Sequence, residues 1–117
     1  MYAEAVLRGG QGGTETLALK YVNDLRDRAY GNQSGRISLA DLKATDFLLN
    51  ERSRELYWEG TRRTDLVRFG RFTTASYLWP WKGGVAAGKA VSTNLNLYPL
   101  PSTDIVANPT LVQNPGY

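Results

Sequence analysis

The prolines and charged residues of this chain are unevenly distributed, and this limits the folds open to it. All five prolines follow Phe72, together with only three charged residues, Lys82, Lys89 and Asp104. The first 72 residues hold 12 basic and 10 acidic side chains. Because proline interrupts helices and central strands alike, the pattern predicts helices within 1–72 and a long irregular wrap over 73–117 with little or no strand.

Local signals divide the first part into about three to four helices, so we expect one all-α domain over 1–117. Thr14 is a suitable N-cap for a helix that ends at Gly31, since glycine readily adopts the left-handed conformation found after helices. The remaining predicted elements are the end of a helix over 1–8 whose start is missing, a short turn from Ser38 to Leu42, helices over 46–59 (capped by Thr45) and 62–69, a possible strand at 96–98 and a helical turn capped by Ser102.

The composition excludes several classes of function. The chain has no His and no Cys, which removes nucleophile–His pairs, disulfides and nearly all zinc or copper sites. A net charge of +3 with interleaved acids and bases does not indicate nucleic-acid binding. No apolar run is long enough to span a membrane, and no secretion signal is present. We expect no cofactor and no resident metal.

Three carboxylates follow one another at helical spacing. Glu51, Glu55 and Glu59 are four residues apart and would share the face of the predicted helix over 46–59, flanked by apolar residues. Like charges at this spacing repel each other and need nearby cations. We therefore expect a partly buried ion-pair network that joins this helix to the one over 62–69. Its predicted members are Glu51, Arg54, Glu55, Glu59, Arg62, Asp65 and Arg68.

The same carboxylates have a catalytic interpretation, which is a glycoside hydrolase. That chemistry needs two carboxyl groups about 5 to 9.5 Å apart, one of them protonated. Arginine neighbours favour the ionised form of a carboxylate, so the structural interpretation is preferred. A three-carboxylate Ca²⁺ or Mg²⁺ site is disfavoured because the arginines compete for the same oxygens and no Asp-x-Asp-x-Asp-Gly pattern occurs.

An aromatic cluster in the second part is the candidate ligand-binding site. Tyr77, Trp79 and Trp81 lie close together, and the two tryptophans alternate around Pro80. In an extended segment both indoles would face the same way, which suits a platform for sugar rings. The arrangement equally suits two rings that anchor a loop. Catalytic residues are not predicted here.

Several stretches together resemble the C-terminal part of the SusD/RagB family of outer-membrane nutrient-binding lipoproteins. They are ALKYVNDLRDRAYG at 18–31, FLLNERSRELYWEGTRRTDLVRFGRF at 47–72, YLWPWKGG at 77–84 and LYPLPSTDIVANPTLVQNPGY at 97–117. The order is kept along nearly the whole chain. The most specific pieces are the ERxREL-x-x-EGxRxxDLxRFG string and the terminal NPxLxQNPGY.

The resemblance implies a helical, tetratricopeptide-like scaffold on the surface of the outer membrane of Bacteroidetes-type bacteria. It implies a non-enzymatic protein that binds glycans or other nutrients and hands them to a SusC-type TonB-dependent transporter. The family's signal peptide and lipid-bearing cysteine would lie outside this chain. The alternative for this part of the protein is a structural or transporter-docking segment with no ligand contacts of its own.

Overall fold

A computed structural model describes all 117 residues. The chain is all-α, as predicted, and contains no strand. It divides into two compact units, Met1–Tyr57 and Trp58–Tyr117. The first unit contains α1 (Tyr2–Leu7), α2 (Glu15–Tyr30), α3 (Leu39–Lys43) and α4 (Phe47–Glu55); the second contains α5 (Arg62–Arg68) and α6 (Ser102–Ala107). Short 3₁₀ turns lie at Gln33–Gly35 and Thr93–Asn96. That 1–117 forms a single domain stays a prediction.

The caps predicted for α2 and α3 are confirmed. The Thr14 side chain accepts a hydrogen bond from the Leu17 amide at 3.2 Å, and Gly31 ends α2 with a φ of 69°. Ser38 accepts from the Asp41 amide while the Asp41 carboxylate accepts from the Ser38 amide, which is a reciprocal capping box. These contacts satisfy amides that a helix start leaves without an intrahelical acceptor.

The core of the first unit lies where α1, α2 and α3 pack together. The buried residues there are Ala3, Ala18, Val22 and Leu42. The small side chains of Ala3 and Ala18 allow α1 and α2 to pack closely. α2 also carries large apolar side chains that are not buried. Its Tyr21 and Leu25 remain exposed.

The predicted bounds of α4 were wrong at both ends. Asp46, at φ 63°, precedes the first helical residue, and Thr45 is not the cap. The helix ends at Glu55 because Trp58 and Gly60 adopt left-handed conformations, with φ of 69° and 72°. Such residues cannot continue a right-handed helix. Glu59 therefore lies beyond α4 and is exposed.

In the second unit, two further predictions needed correction. Pro101, and not Ser102, occupies the N-cap position of α6. No strand forms at 96–98, because this part of the chain bonds to side chains instead of a neighbouring strand. Gln113 bonds both the amide and the carbonyl of Leu100, Asn114 donates to the Tyr98 carbonyl at 2.7 Å, and the Tyr117 hydroxyl donates to Leu97.

The QNPGY end of the sequence thus fastens the terminal segment to 97–100 through side-chain hydrogen bonds. None of the helices combines the length and apolar character needed to cross a membrane.

Candidate functional site

The first candidate region is the ion-pair cluster between α2 and α4. Arg26 donates from Nη1 to both oxygens of Glu51, at 3.1 and 2.9 Å, and Arg54 donates to the same carboxylate at 2.5 Å. Arg28 holds both oxygens of Glu55, at 2.6 and 2.7 Å. The side chains of Arg26 and Glu51 are mostly buried. This cluster links two helices that are distant in sequence.

Sequence reasoning placed Glu51, Glu55 and Arg54 in a network but missed the two arginines that come from α2. A signal for Arg26 was available. It follows the buried Val22 by four residues, so it lies on the same side of α2 as the core. An arginine at such a position needs a carboxylate partner.

An open apolar groove of about 340 Å³ runs beside this cluster. Val22, Leu25 and Leu48 form part of its apolar lining, and Glu51 and Glu55 border it. Both oxygens of each carboxylate accept hydrogen bonds from guanidinium groups, so these side chains are used for contacts within the protein. A glycosidase acid must instead carry a proton. The arrangement therefore fits a role in holding α4 against α2 better than a role in acid–base catalysis.

The remaining predicted network members lie in the second unit. Asp65 is buried, with 3% of its surface exposed, and accepts from Arg68 at 2.8 Å. Arg62 donates to the Tyr77 hydroxyl at 2.6 Å and lies over the Tyr77 ring. Glu59 is exposed at the start of this unit. No group of three or more carboxylates is close enough to hold a metal ion.

The aromatic cluster is the second candidate region, and its three rings have different surroundings. Trp79 is half-buried and stacks on Phe72, with ring centroids 6.1 Å apart. Tyr77 is half-buried against Arg62. Trp81 is 70% exposed. The segment is not extended, because the chain turns at Pro80 and Trp81 has a φ of 68°.

Lys82 organises this loop, and sequence reasoning assigned it no role. Only 2% of its surface is exposed. Its ammonium donates to the carbonyls of Thr74 at 2.5 Å, Tyr77 at 2.8 Å and Arg71 at 3.3 Å, and it lies 4.6 Å from the centroid of the Trp79 ring. Burial lowers the pKa of Lys82 from its usual value. A lysine directly after the aromatic cluster, in a segment nearly free of acids, was the available signal.

Comparison with known proteins supports the resemblance that the motifs indicated. The model of the SusD family matches residues 1–117. The chain is 45% identical over 115 residues to Starch-binding protein SusD of Bacteroides thetaiotaomicron, an alignment that covers 98% of this chain and 19% of that protein.

Among solved structures, Surface glycan-binding protein A from Bacteroides thetaiotaomicron superposes with a TM-score of 0.69 at 32% identity, over 97% of this chain and 22% of the other. The chain thus spans about a fifth of the length of these relatives. Sequence motifs, helical fold and family match agree, and the chain belongs to the SusD family.

Proposed function

We propose that this chain is part of a non-catalytic glycan-binding protein on the surface of the outer membrane. The observation that carries the proposal is its 45% identity, over nearly all of its length, to a protein named for starch binding. The structural relative is named a surface glycan-binding protein. An α-linked glucan is therefore the first ligand class to test.

The side-chain geometry is consistent with a binding role. The carboxylates that suggested a hydrolase are held by arginines: Glu51 by Arg26 and Arg54, and Glu55 by Arg28. A large indole, that of Trp81, is open to solvent on a loop of the second unit. Exposed aromatic rings are suited to stacking against the faces of sugars.

A titration with maltoheptaose, followed by a panel of soluble plant and host oligosaccharides, tests the proposal. We expect saturable binding by calorimetry and no new products by chromatography after prolonged incubation. The Glu55→Gln variant is the control for catalysis, and it should leave the absence of products unchanged. Absence of binding to every glycan, or turnover that Glu55→Gln abolishes, would overturn the proposal.

The partner proposed from the family resemblance is a SusC-type TonB-dependent transporter. Co-expression of the chain with such a transporter from the same genome, followed by affinity purification, tests this part. We expect the two to co-purify. Co-purification without any glycan binding would favour the alternative function, in which this segment docks on the transporter and does not contact ligand.

A further inference from the structure

Trp81 combines an unfavourable backbone conformation with high exposure. Its φ and ψ are 68° and 6°, a left-handed conformation that disfavours residues with a large side chain. Because 70% of its surface is exposed, burial of the indole contributes little free energy to offset this backbone strain. Trp58 has a similar φ of 69° and is 88% exposed, so strain and exposure alone assign no function, and the surroundings of Trp81 must distinguish it.

The turn that carries Trp81 is held on both sides. The Trp81 amide donates to the Ala86 carbonyl at 3.3 Å, and its own carbonyl accepts from the Gly84 amide at 3.0 Å. The next residue, Lys82, is buried and donates to three carbonyls of the preceding loop. The backbone at Trp81 is therefore fixed while its side chain stays open to solvent.

Trp79 shows the contrasting arrangement two residues earlier. Its ring stacks on Phe72 and contacts the Lys82 ammonium, so both of these contacts are internal to the unit. Gly88 approaches the Trp79 carbonyl so closely that an added Cβ would lie 2.5 Å from that oxygen. Trp79 therefore acts as the anchor of the loop, and Trp81 is the ring that the loop presents.

We propose that Trp81 is a stacking platform for a pyranose ring and that Lys82 is the residue that positions it. This proposal rests on the proposed glycan-binding function and assigns a contact residue for it. One face of a pyranose carries mainly C–H groups, which pack against the π-face of an indole. Because the anchored turn holds the ring in place before binding, little conformational entropy is lost when sugar binds.

The Trp81→Gly variant separates function from folding. Glycine adopts a φ of 68° without strain, so we expect the melting temperature to rise and the affinity for maltoheptaose, or for the panel glycan that binds, to fall at least tenfold. Trp58→Gly is the matched control, since Trp58 has a φ of 69° and is 88% exposed. We expect it to leave the affinity unchanged.

A chain with Trp81 as its only tryptophan, made with Trp58→Phe and Trp79→Phe, tests the contact directly. We expect its emission to shift when the glycan binds. Adding Lys82→Met should weaken binding and lower the fluorescence anisotropy of Trp81 at temperatures where circular dichroism shows the chain still folded. A role of Lys82 in stability alone would leave that anisotropy unchanged.

Two outcomes distinguish this proposal from the function on which it rests. If the unmodified chain binds a glycan and Trp81→Gly binds it equally well, the stacking platform is refuted and the glycan-binding function stands. If the unmodified chain binds no glycan, both proposals fail. Equal loss of binding in Trp81→Gly and Trp58→Gly, or an unchanged anisotropy after Lys82→Met, would also refute the assignment.

Discussion

The buried ammonium of Lys82 should contribute measurably to stability, and Lys82→Met tests this because methionine keeps most of the apolar stem. The change removes two short hydrogen bonds to carbonyls, at 2.5 and 2.8 Å, and a longer one at 3.3 Å. Losing the donor to a buried acceptor costs about 1–3 kcal/mol each. Removal of the buried charge offsets part of this cost. The two short bonds alone contribute about 2–6 kcal/mol, and the offset places the expected net loss at the lower end of that range, about 2 kcal/mol.

Urea and thermal denaturation followed by circular dichroism measure this loss. At roughly 4 °C per kcal/mol for a chain of this size, the melting temperature should fall by about 8 °C. Lys89→Met is the matched control, because Lys89 is an exposed lysine of the same loop and its replacement should change stability by less than about 0.5 kcal/mol. A Lys82→Met chain as stable as the unmodified one would refute the reasoning, since burying the charge would then cost as much as its hydrogen bonds contribute.

The pH dependence provides a second readout of the same residue. Burial lowers the pKa of Lys82 below 10.5, so the unfolded chain binds more protons than the folded chain between the lowered pKa and 10.5. The free energy of unfolding should therefore rise with pH through that window. The rise attributable to Lys82 should be absent from Lys82→Met, and identical profiles for the two proteins would contradict a lowered pKa.

Three further predictions concern packing and capping. Gly88→Ala should destabilise by about 1–3 kcal/mol more than Gly84→Ala in urea titrations, because both glycines have similar φ but only a Cβ at Gly88 would meet a backbone carbonyl. Leu49→Ala should cost about 2–5 kcal/mol in the same assay, since Leu49 is fully buried. Hydrogen bonds from Ser38 lower the pKa of Asp41 below 3.8. The stability that Asp41 contributes above pH 3.8 should therefore disappear as the pH falls through its folded pKa. Ser38→Ala should weaken this pH dependence when the free energy of unfolding is measured from pH 2 to 5.

The parts of the fold that sequence predicted well are those set by neighbouring residues. Thr14 and Gly31 bound α2, and Ser38 begins α3, because a cap and the amide it satisfies are only two or three residues apart. The end of α4 was not predictable in this way. Its apolar and charged pattern continues to Glu59, whereas the chain leaves the helix at Leu56 and turns at Trp58.

Contacts between distant residues account for most of what sequence reasoning missed. Composition required cations near Glu51 and Glu55, and the nearest arginines in sequence were the natural candidates. The structure adds Arg26 and Arg28, which lie 25 and 27 residues away from their partners. Only the packing of α2 beside α4 makes these pairs, so no local pattern contains them.

The two tryptophans around Pro80 show how a single backbone torsion separates residues with the same chemistry. Strict alternation would have placed both indoles on one side, and the ligand prediction treated them as one surface. The positive φ of Trp81 breaks the alternation, and the buried Lys82 beside it holds the backbone in this turn. One ring then stacks inside the unit and the other is exposed. If this division is functional, replacing Trp79 should chiefly destabilise the loop, whereas replacing Trp81 should chiefly weaken ligand binding.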